Sequence, residues 1–308
     1  MHYGCKRNGW SFSKKSWNNH VRLRRTRRTN QKGNEMNILI TGHKGFIGQN
    51  MMKFMKSKGH TVTGFEYYDN TEHFPDLKGI HTVIHLGAET DTTCGNIHYV
   101  LEKNYDFSKK LYDECQRRHI MLQYASSASV YGHNRKTAEY EFKEPLNYYA
   151  TSKYLFDRYV ETQAPVSRVQ GFRYFNVYGP HEEHKKDQAS PISKFFHEAI
   201  WKHEIDIFEG SENFKRDFVF VGDICELHYR MLDVNESGIW NAGTGVATSF
   251  EEIAIMIAEK YESNVNRIPM PEELKHQYQE YTCANLHKLN STVKMNWFPV
   301  EDYINYEL

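Results

Sequence analysis

Residues 37–48 read Asn-Ile-Leu-Ile-Thr-Gly-His-Lys-Gly-Phe-Ile-Gly, NILITGHKGFIG. Five residues that are mostly apolar run straight into Gly42, Gly45 and Gly48. The run is short enough for a buried strand, and apolar Ile47, Met51, Met52 and Met55 then recur at helical spacing up to Gly59. His60–Glu66, HTVTGFE, reads as a second strand. Strand, glycine turn, helix and strand make the first βαβ unit of a dinucleotide fold. The glycines let a backbone approach a pyrophosphate, and the helix start offers N–H donors with positive dipole charge. Gly42, Lys44, Gly45, Phe46, Ile47 and Gly48 are therefore the first expected cofactor residues. Glu66 ends the second strand, where a carboxylate bonds ribose hydroxyls and repels a 2′-phosphate, which favours NAD. Lys44 pulls toward NADP by offering a cation to a phosphate.

The alternation continues along the chain. Thr82–Ala88 reads as a buried strand, 101–118 as a helix, Ile120–Ser126 as a strand, 149–162 as a helix and Val169–Tyr174 as a strand. Repeated βα units imply a Rossmann-type, doubly wound parallel α/β sheet whose ligands sit beyond the carboxyl ends of its strands. The chain has 308 residues, 39% hydrophobic and 25% charged, enough apolar material for a substantial core. No stretch has the length of a membrane-spanning helix. Five widely spaced cysteines without a CxxC point to reduced thiols and a cytoplasmic protein rather than a zinc ribbon.

The net charge is zero, but its distribution is not even. Segment 1–35 carries 10 of the 39 Lys and Arg residues against one acid, Glu35, so the rest of the chain is acidic. No apolar periodicity and no secretory h-region accompany those charges. A solvated tail or a start codon set too early, a nucleic-acid or anionic-surface arm, and a targeting segment are the three readings. Met36, directly before the first strand, favours the first.

Chemistry gathers after the strands. Ser126-Ser-Ala-Ser-Val-Tyr-Gly132 follows one strand, and Tyr149-Ala-Thr-Ser-Lys153 opens the next helix. Tyr149 and Lys153, four apart, share a helix face. The ammonium is expected to lower the phenol pKa and make Tyr149 an acid/base for a substrate hydroxyl, with Ser127 sharing the proton path. Two other YxxxK pairs, Tyr99/Lys103 and Tyr105/Lys109, fall inside one helical segment and read as surface and packing residues.

With TGxxGFIG, SSASVYG and YxxxK together, the chain resembles the extended short-chain dehydrogenase/reductase family, also called the NAD-dependent epimerase/dehydratase family. GFRYFNVYGP (171–180), HEEHK (181–185) and FEGSENFKRDF (208–218) further resemble the ADP-L-glycero-D-manno-heptose 6-epimerase subfamily. That resemblance implies an isomerase that inverts C6 of ADP-D-glycero-D-manno-heptose with tightly bound NADP or NAD, in lipopolysaccharide biosynthesis. It implies two bases, Tyr149 and Lys185, on opposite faces of the sugar carbon. It implies substrate contacts from Ser127, Asn176, Phe208, Glu209, Gly210, Ser211, Arg216 and Tyr278. Leu86, Gly87, Ala88, Asn104, Lys153 and Val177 complete the expected cofactor set. Arg216 suits a diphosphate through its planar fork.

The expected organisation is a Rossmann domain over 36–177 plus about 218–245, and a smaller C-terminal α/β nucleotide-sugar lobe over about 178–217 plus 246–308. A homo-oligomer is expected, with a nucleotide sugar as partner and neither membrane nor nucleic acid. His181-Glu-Glu-His184 lacks HExxH spacing and a third ligand, so no metal is expected. Lys186-Asp187 and Lys194 depart from the subfamily pattern, and the stretch after Glu66 is about twenty residues shorter than its members have. A 4-epimerase or 4,6-dehydratase of another nucleotide sugar is the alternative enzyme, although Ala128-Ser129 replace the Asp-Glu pair of a dehydratase. A catalytically silent, cofactor-sensing Rossmann protein is the alternative outside enzymology.

Overall fold

The computed structural model describes residues 35–69, 73–182, 185, 188–272 and 278–308. The basic tail, apart from Glu35, lies outside them, as do Glu183, His184, Lys186 and Asp187. The elements below belong to one compact unit, Glu35–Tyr306.

The quoted stretch folds as read. Strand β1 (Asn37–Thr41) buries every residue after the first, and helix α1 (Phe46–Ser57) starts directly after Gly45. Its Met51, Phe54 and Met55 turn inward. Gly59, with φ +92°, reverses the chain into β2 (Thr61–Phe65), which pairs in parallel with β1. A 3-10 turn (Tyr67–Asp69) follows, and β3 (Thr82–His85) lies on the other side of β1, every residue buried. No strand forms between Glu66 and Thr82 among the described residues, in line with the short stretch noted there.

The expected helix 101–118 is broken into α2 (Ile97–Leu101), a π turn (Glu102–Asp106) and α3 (Phe107–Arg117). Then come β4 (Met121–Ser127), α4 (Tyr148–Glu161) and β5 (Val169–Tyr174). Asn147 starts α4 by accepting a hydrogen bond from the Ala150 N–H at 2.8 Å, an ordinary helix N-cap. The main sheet gains its last strand much later, at β9 (Gly238–Ala242), and its order is β2-β1-β3-β4-β5-β9, all parallel. Helices pack on both faces. Leu39, Val83, Leu111, Leu122 and Phe156 form one core, while Ile38, Ile40, Met51, Met55 and Ile84 form the other. This is the doubly wound architecture expected. Strand order reverses at β1, between β2 and β3, and that crevice at the carboxyl ends is where such sheets take ligands.

Between β5 and β9 the chain makes β6 (Asn176–Tyr178), α5 (Pro191–Lys202), β7 (Glu204–Phe208), β8 (Lys215–Phe220) and α6 (Val221–Met231). After β9 come β10 (Ala247–Ser249), α7 (Phe250–Tyr261), β11 (Asn264–Ile268), β12 (Tyr281–Thr282), α8 (His287–Thr292) and α9 (Val300–Tyr306). Strand β8 pairs with β6, β10 and β12, and β7 pairs with β11. No helix among the described residues is long and apolar enough to cross a membrane.

Candidate active site

Gly42 occupies the left-handed region, φ +69°, and a Cβ there would stand 2.6 Å from the backbone of Gly87. The turn after β1 and the loop after β3 therefore touch backbone to backbone, and only glycine permits it. A Cβ on Gly48 would lie 2.0 Å from the Gly42 carbonyl oxygen, so the start of α1 is drawn against the same turn. Beside it opens a cleft of about 100 Å³ lined by Gly42, Glu66, Tyr67, Tyr68, Gly87 and Ala88, among others. A larger cavity, about 900 Å³, opens near Val169, Gly238 and Lys288, at the amino ends of β5 and β9. It touches none of the expected site residues, and the small cleft sits at the strand ends where open sheets bind ligands.

Glu66 reaches back across the cleft: its Oε1 accepts the Lys44 N–H at 2.7 Å. The Lys44 ammonium lies 2.5 Å from Asp69, which raises its pKa. Asn104, in the π turn, is buried and pinned on three sides. Its Oδ1 accepts the Glu89 N–H at 2.7 Å, and its Nδ2 donates to the Glu89 carbonyl at 2.9 Å and to Ser152 Oγ at 3.0 Å. Ser152 donates in turn to the Tyr149 carbonyl. His85 sits between Thr41 Oγ1, 2.6 Å away, and Ser108 Oγ, 2.8 Å away, with burial holding its pKa down at about 3. These bonds tie the glycine turn to the start of α4.

Tyr149 and Lys153 lie on one face of α4 as expected, with the ammonium 5.9 Å from the phenol ring centroid. Ser127 caps a short 3-10 turn and accepts hydrogen bonds from the Ser129 N–H and hydroxyl. The phenol pKa is raised rather than lowered: burial dominates, and the hydrogen bond to Ser127 opposes it only in part. The lowering expected of Lys153 does not offset burial. Lys153 is itself buried, donates to the Ala125 carbonyl at 2.9 Å, and has its pKa brought down to about 8 by desolvation. Of the other two YxxxK pairs, Lys103 covers the Tyr67 ring at 3.9 Å and lines the cleft beside Glu66, and Lys109 makes an exposed pair with Asp113.

Lys185, half-buried, stands 5.1 Å from the Phe46 ring centroid. Burial lowers its pKa, the Glu182 carboxylate 3.9 Å away opposes this, and Lys194 reinforces it. Glu182 is buried and accepts from the Gly179 N–H, the Ser190 N–H and the Ser190 hydroxyl at 3.1, 2.7 and 2.8 Å. Both ends of the loop that carries Lys185 are thus fastened to one carboxylate. Glu182 is a loop anchor, and no group of three metal-ligating side chains occurs among the described residues.

The remaining expected residues gather around β8. Asn176 and Val177 lie on β6, in register with Phe218 and Val219. Phe208, Glu209, Gly210 and Ser211 form a tight turn in which the Ser211 N–H and hydroxyl both bond the Phe208 carbonyl. Arg216 is buried, its guanidinium 5.2 Å from the Phe250 ring and 5.5 Å from the Tyr278 ring. Tyr278 in turn meets Phe208 and Phe214 edge-on, at 6.1 and 4.9 Å. Among the described residues no carboxylate pairs with Arg216. Phe214 and Phe250 were not singled out in the sequence. Phe214 lies inside the FEGSENFKRDF motif, while Phe250 gives no signal that separates it from a core aromatic.

A family model described as "NAD dependent epimerase/dehydratase family" matches residues 38–243. The chain belongs to this family. Members and their structural relatives share its fold across nearly the whole chain. The ADP-L-glycero-D-manno-heptose 6-epimerase of Helicobacter pylori is similar at 25% identity and TM-score 0.78, covering 88% of this chain and 95% of that one. The UDP-N-acetylglucosamine 4-epimerase of Methanobrevibacter ruminantium matches at 21% identity and TM-score 0.78, covering 89% and 96%. The UDP-glucose 4-epimerase of Thermotoga maritima matches at 21% identity and TM-score 0.78, covering 88% and 97%. The last two likenesses speak for the fold. The family's dinucleotide suits the glycine contact at Gly42 and Gly87, which leaves backbone in reach of a phosphate, and the carboxylate-lined cleft at Glu66.

Proposed function

We propose that this family member inverts C6 of ADP-D-glycero-D-manno-heptose through a transient 6-keto sugar. The observation that carries the reading is segment 208–218, FEGSENFKRDF, whose Phe208, Phe214 and Arg216 meet Tyr278 in one aromatic and cationic cluster. Aromatic faces beside a guanidinium that no carboxylate among the described residues engages suit a nucleoside diphosphate. The similarity to the Helicobacter pylori enzyme supports the same sugar.

NAD or NADP would be held by Gly42, Lys44, Gly45, Phe46, Ile47 and Gly48, with Glu66 at the adenosine ribose and Leu86, Gly87, Ala88, Asn104 and Val177 around it. Lys153 would hold the nicotinamide ribose. Bound dinucleotide supplies reversible hydride transfer at the sugar carbon. Tyr149 takes or returns the hydroxyl proton on one face, with Ser127 in the proton path, and Lys185 does the same on the other. Asn176, Ser127 and the 208–211 turn orient the sugar, and Arg216 and Tyr278 grip the nucleotide. In this reading residues 36–177 and 218–245 hold the cofactor, and 178–217 with 246–308 hold the sugar nucleotide. Burial moves the two groups in opposite directions, raising the Tyr149 phenol and lowering the Lys185 ammonium, so that each is displaced toward its neutral form.

Proton NMR of the protein with ADP-D-glycero-D-manno-heptose and no added cofactor tests this. Interconversion of the C6 epimers supports the substrate and a retained dinucleotide together. Turnover of UDP-glucose or UDP-N-acetylglucosamine in parallel samples, with the heptose untouched, replaces it with a 4-epimerase. No turnover of any of them, with dinucleotide still bound, would leave a cofactor-binding protein.

A further inference from the structure

Lys103 lines the cleft and Lys44 stands in the glycine turn beside it, and each is engaged by a carboxylate. Lys103 is 2.8 Å from Glu102 and lies over the Tyr67 ring. Lys44, inside the glycine turn, is 2.5 Å from Asp69. Its own N–H is meanwhile fixed by Glu66 at 2.7 Å, so the backbone and the side chain of one residue are claimed by two acids three positions apart. The 3-10 turn Tyr67–Asp69 makes this possible by bringing Asp69 back toward the glycine turn.

We propose that Asp69 determines the choice of dinucleotide, by withholding Lys44 from a 2′-phosphate so that the pocket takes NAD in preference to NADP. The inference rests on the cofactor site described under Proposed function and adds a residue to it. An ammonium beside a glycine turn is the natural partner of a ribose phosphate. Held by Asp69, it offers that phosphate one net charge less, and Glu66 adds repulsion. Removing the Asp69 charge returns the cation to the pocket and leaves Glu66 in place.

The test uses the full chain expressed in cells that contain both dinucleotides. The dinucleotide released on denaturation is identified, and displacement of the bound one by NAD⁺ and by NADP⁺ is titrated for wild type, Asp69→Asn, Asp69→Ser and Asp69→Asn with Lys44→Ala. Wild type is expected to carry NAD. Asp69→Asn is expected to strengthen NADP⁺ binding roughly tenfold relative to NAD⁺, the scale of one charge-assisted hydrogen bond. Adding Lys44→Ala should erase that gain. Asp69→Ser checks that the gain follows the lost charge rather than the new amide. An NAD⁺/NADP⁺ ratio unchanged within about twofold in both single variants would overturn the role of Asp69 while leaving the cofactor site intact. So would a gain that survives Lys44→Ala, or NADP as the dinucleotide carried by wild type. Failure of wild type to release or bind either dinucleotide would remove the cofactor site itself, and this inference with it.

Discussion

The Lys185 ammonium lies 5.1 Å from the centroid of the Phe46 ring, so the loop after β6 closes over the first residue of α1. Two segments more than a hundred residues apart in sequence thus share one small volume. Phe46 is itself buried and presents an aromatic face to the cation. This contact gives Lys185 a fixed position next to the glycine turn, where a loop lysine would otherwise be solvated.

Lys185→Met keeps the length of the side chain and removes its proton chemistry. Together with Tyr149→Phe it should slow epimerisation by about 10²–10⁴-fold, with dinucleotide still bound. Quench-flow or NMR rates, with the released cofactor quantified, check this. Full activity in either variant would remove that residue from the pair of bases.

Glu182→Gln retains acceptor capacity toward Ser190 but places an N–H donor where three donors now converge and removes the charge facing Lys185. The Lys185 pKa should fall further, because the carboxylate is the influence that raises it. As one of the two proposed bases, Lys185 accepts a proton in its neutral form and so sets the acid limb of the rate profile, which should move to lower pH. An unmoved profile with reduced rate would reduce Glu182 to a loop anchor alone.

Gly42→Ala and Gly59→Ala both put a side chain at positive φ, +69° and +92°. Strain at each costs about 1–2 kcal/mol. Only the Gly42 Cβ meets backbone, whereas nothing lies within 4 Å of the one on Gly59. Gly42→Ala should therefore lose its dinucleotide, and Gly59→Ala should keep it. Equal retention in the two would mean that the Gly42–Gly87 approach plays no part in cofactor binding.

Acid should destabilise this fold through two buried histidines. His85 and His228 are held neutral by desolvation, each down at about 3, whereas an unfolded chain protonates them near 6.5. The unfolded state then binds more protons between those values, so stability falls as pH drops from 6.5 toward 3. Between pH 6.5 and 5 each contributes about 2 kcal/mol of loss. Urea midpoints should fall over that interval, and His228→Gln should recover part of the difference. A variant with the same pH slope as wild type would refute the assignment.

Asp157 accepts from Arg173 Nε at 2.8 Å, Ser126 Oγ at 2.9 Å and Tyr124 OH at 3.1 Å, all within the core. Asp157→Leu strands a buried guanidinium and two hydroxyls, which should cost about 3–5 kcal/mol. Thermal unfolding with both partners replaced, Asp157→Leu and Arg173→Met, should recover much of that loss. If the double variant is no better than the single, the pairing argument fails.

The parallel sheet was legible because strands buried on both faces must be nearly continuous apolar runs, as in NILIT and TVIH. Its ligand edge was legible because Gly42 directly follows β1, Ser127 ends β4, and Tyr149 lies in the first turn of the next helix. The helix expected over 101–118 hid a π turn, since the insertion that carries Asn104 leaves the apolar periodicity almost unchanged. Phe250 escaped notice because an aromatic in a core and one beside a guanidinium look alike in a sequence. The Tyr149 pKa went the other way from expectation: YxxxK displays a neighbouring charge but not the depth of the phenol. The Lys44–Asp69 contact depends on a 3-10 turn that spacing alone does not reveal.

Strand β5 finishes at Tyr174, yet its outer partner β9 begins only at Gly238. During synthesis the edge of β5 therefore waits, with unpaired amides, until the whole intervening stretch has left the ribosome. Such an edge invites pairing with other chains. A fragment cut near residue 180 would carry Gly42, Gly45, Gly48 and Gly87 and both members of the Tyr149/Lys153 pair, and should nonetheless aggregate rather than persist as a cofactor module. Nascent chains of this protein should need chaperone protection until Ala242 emerges.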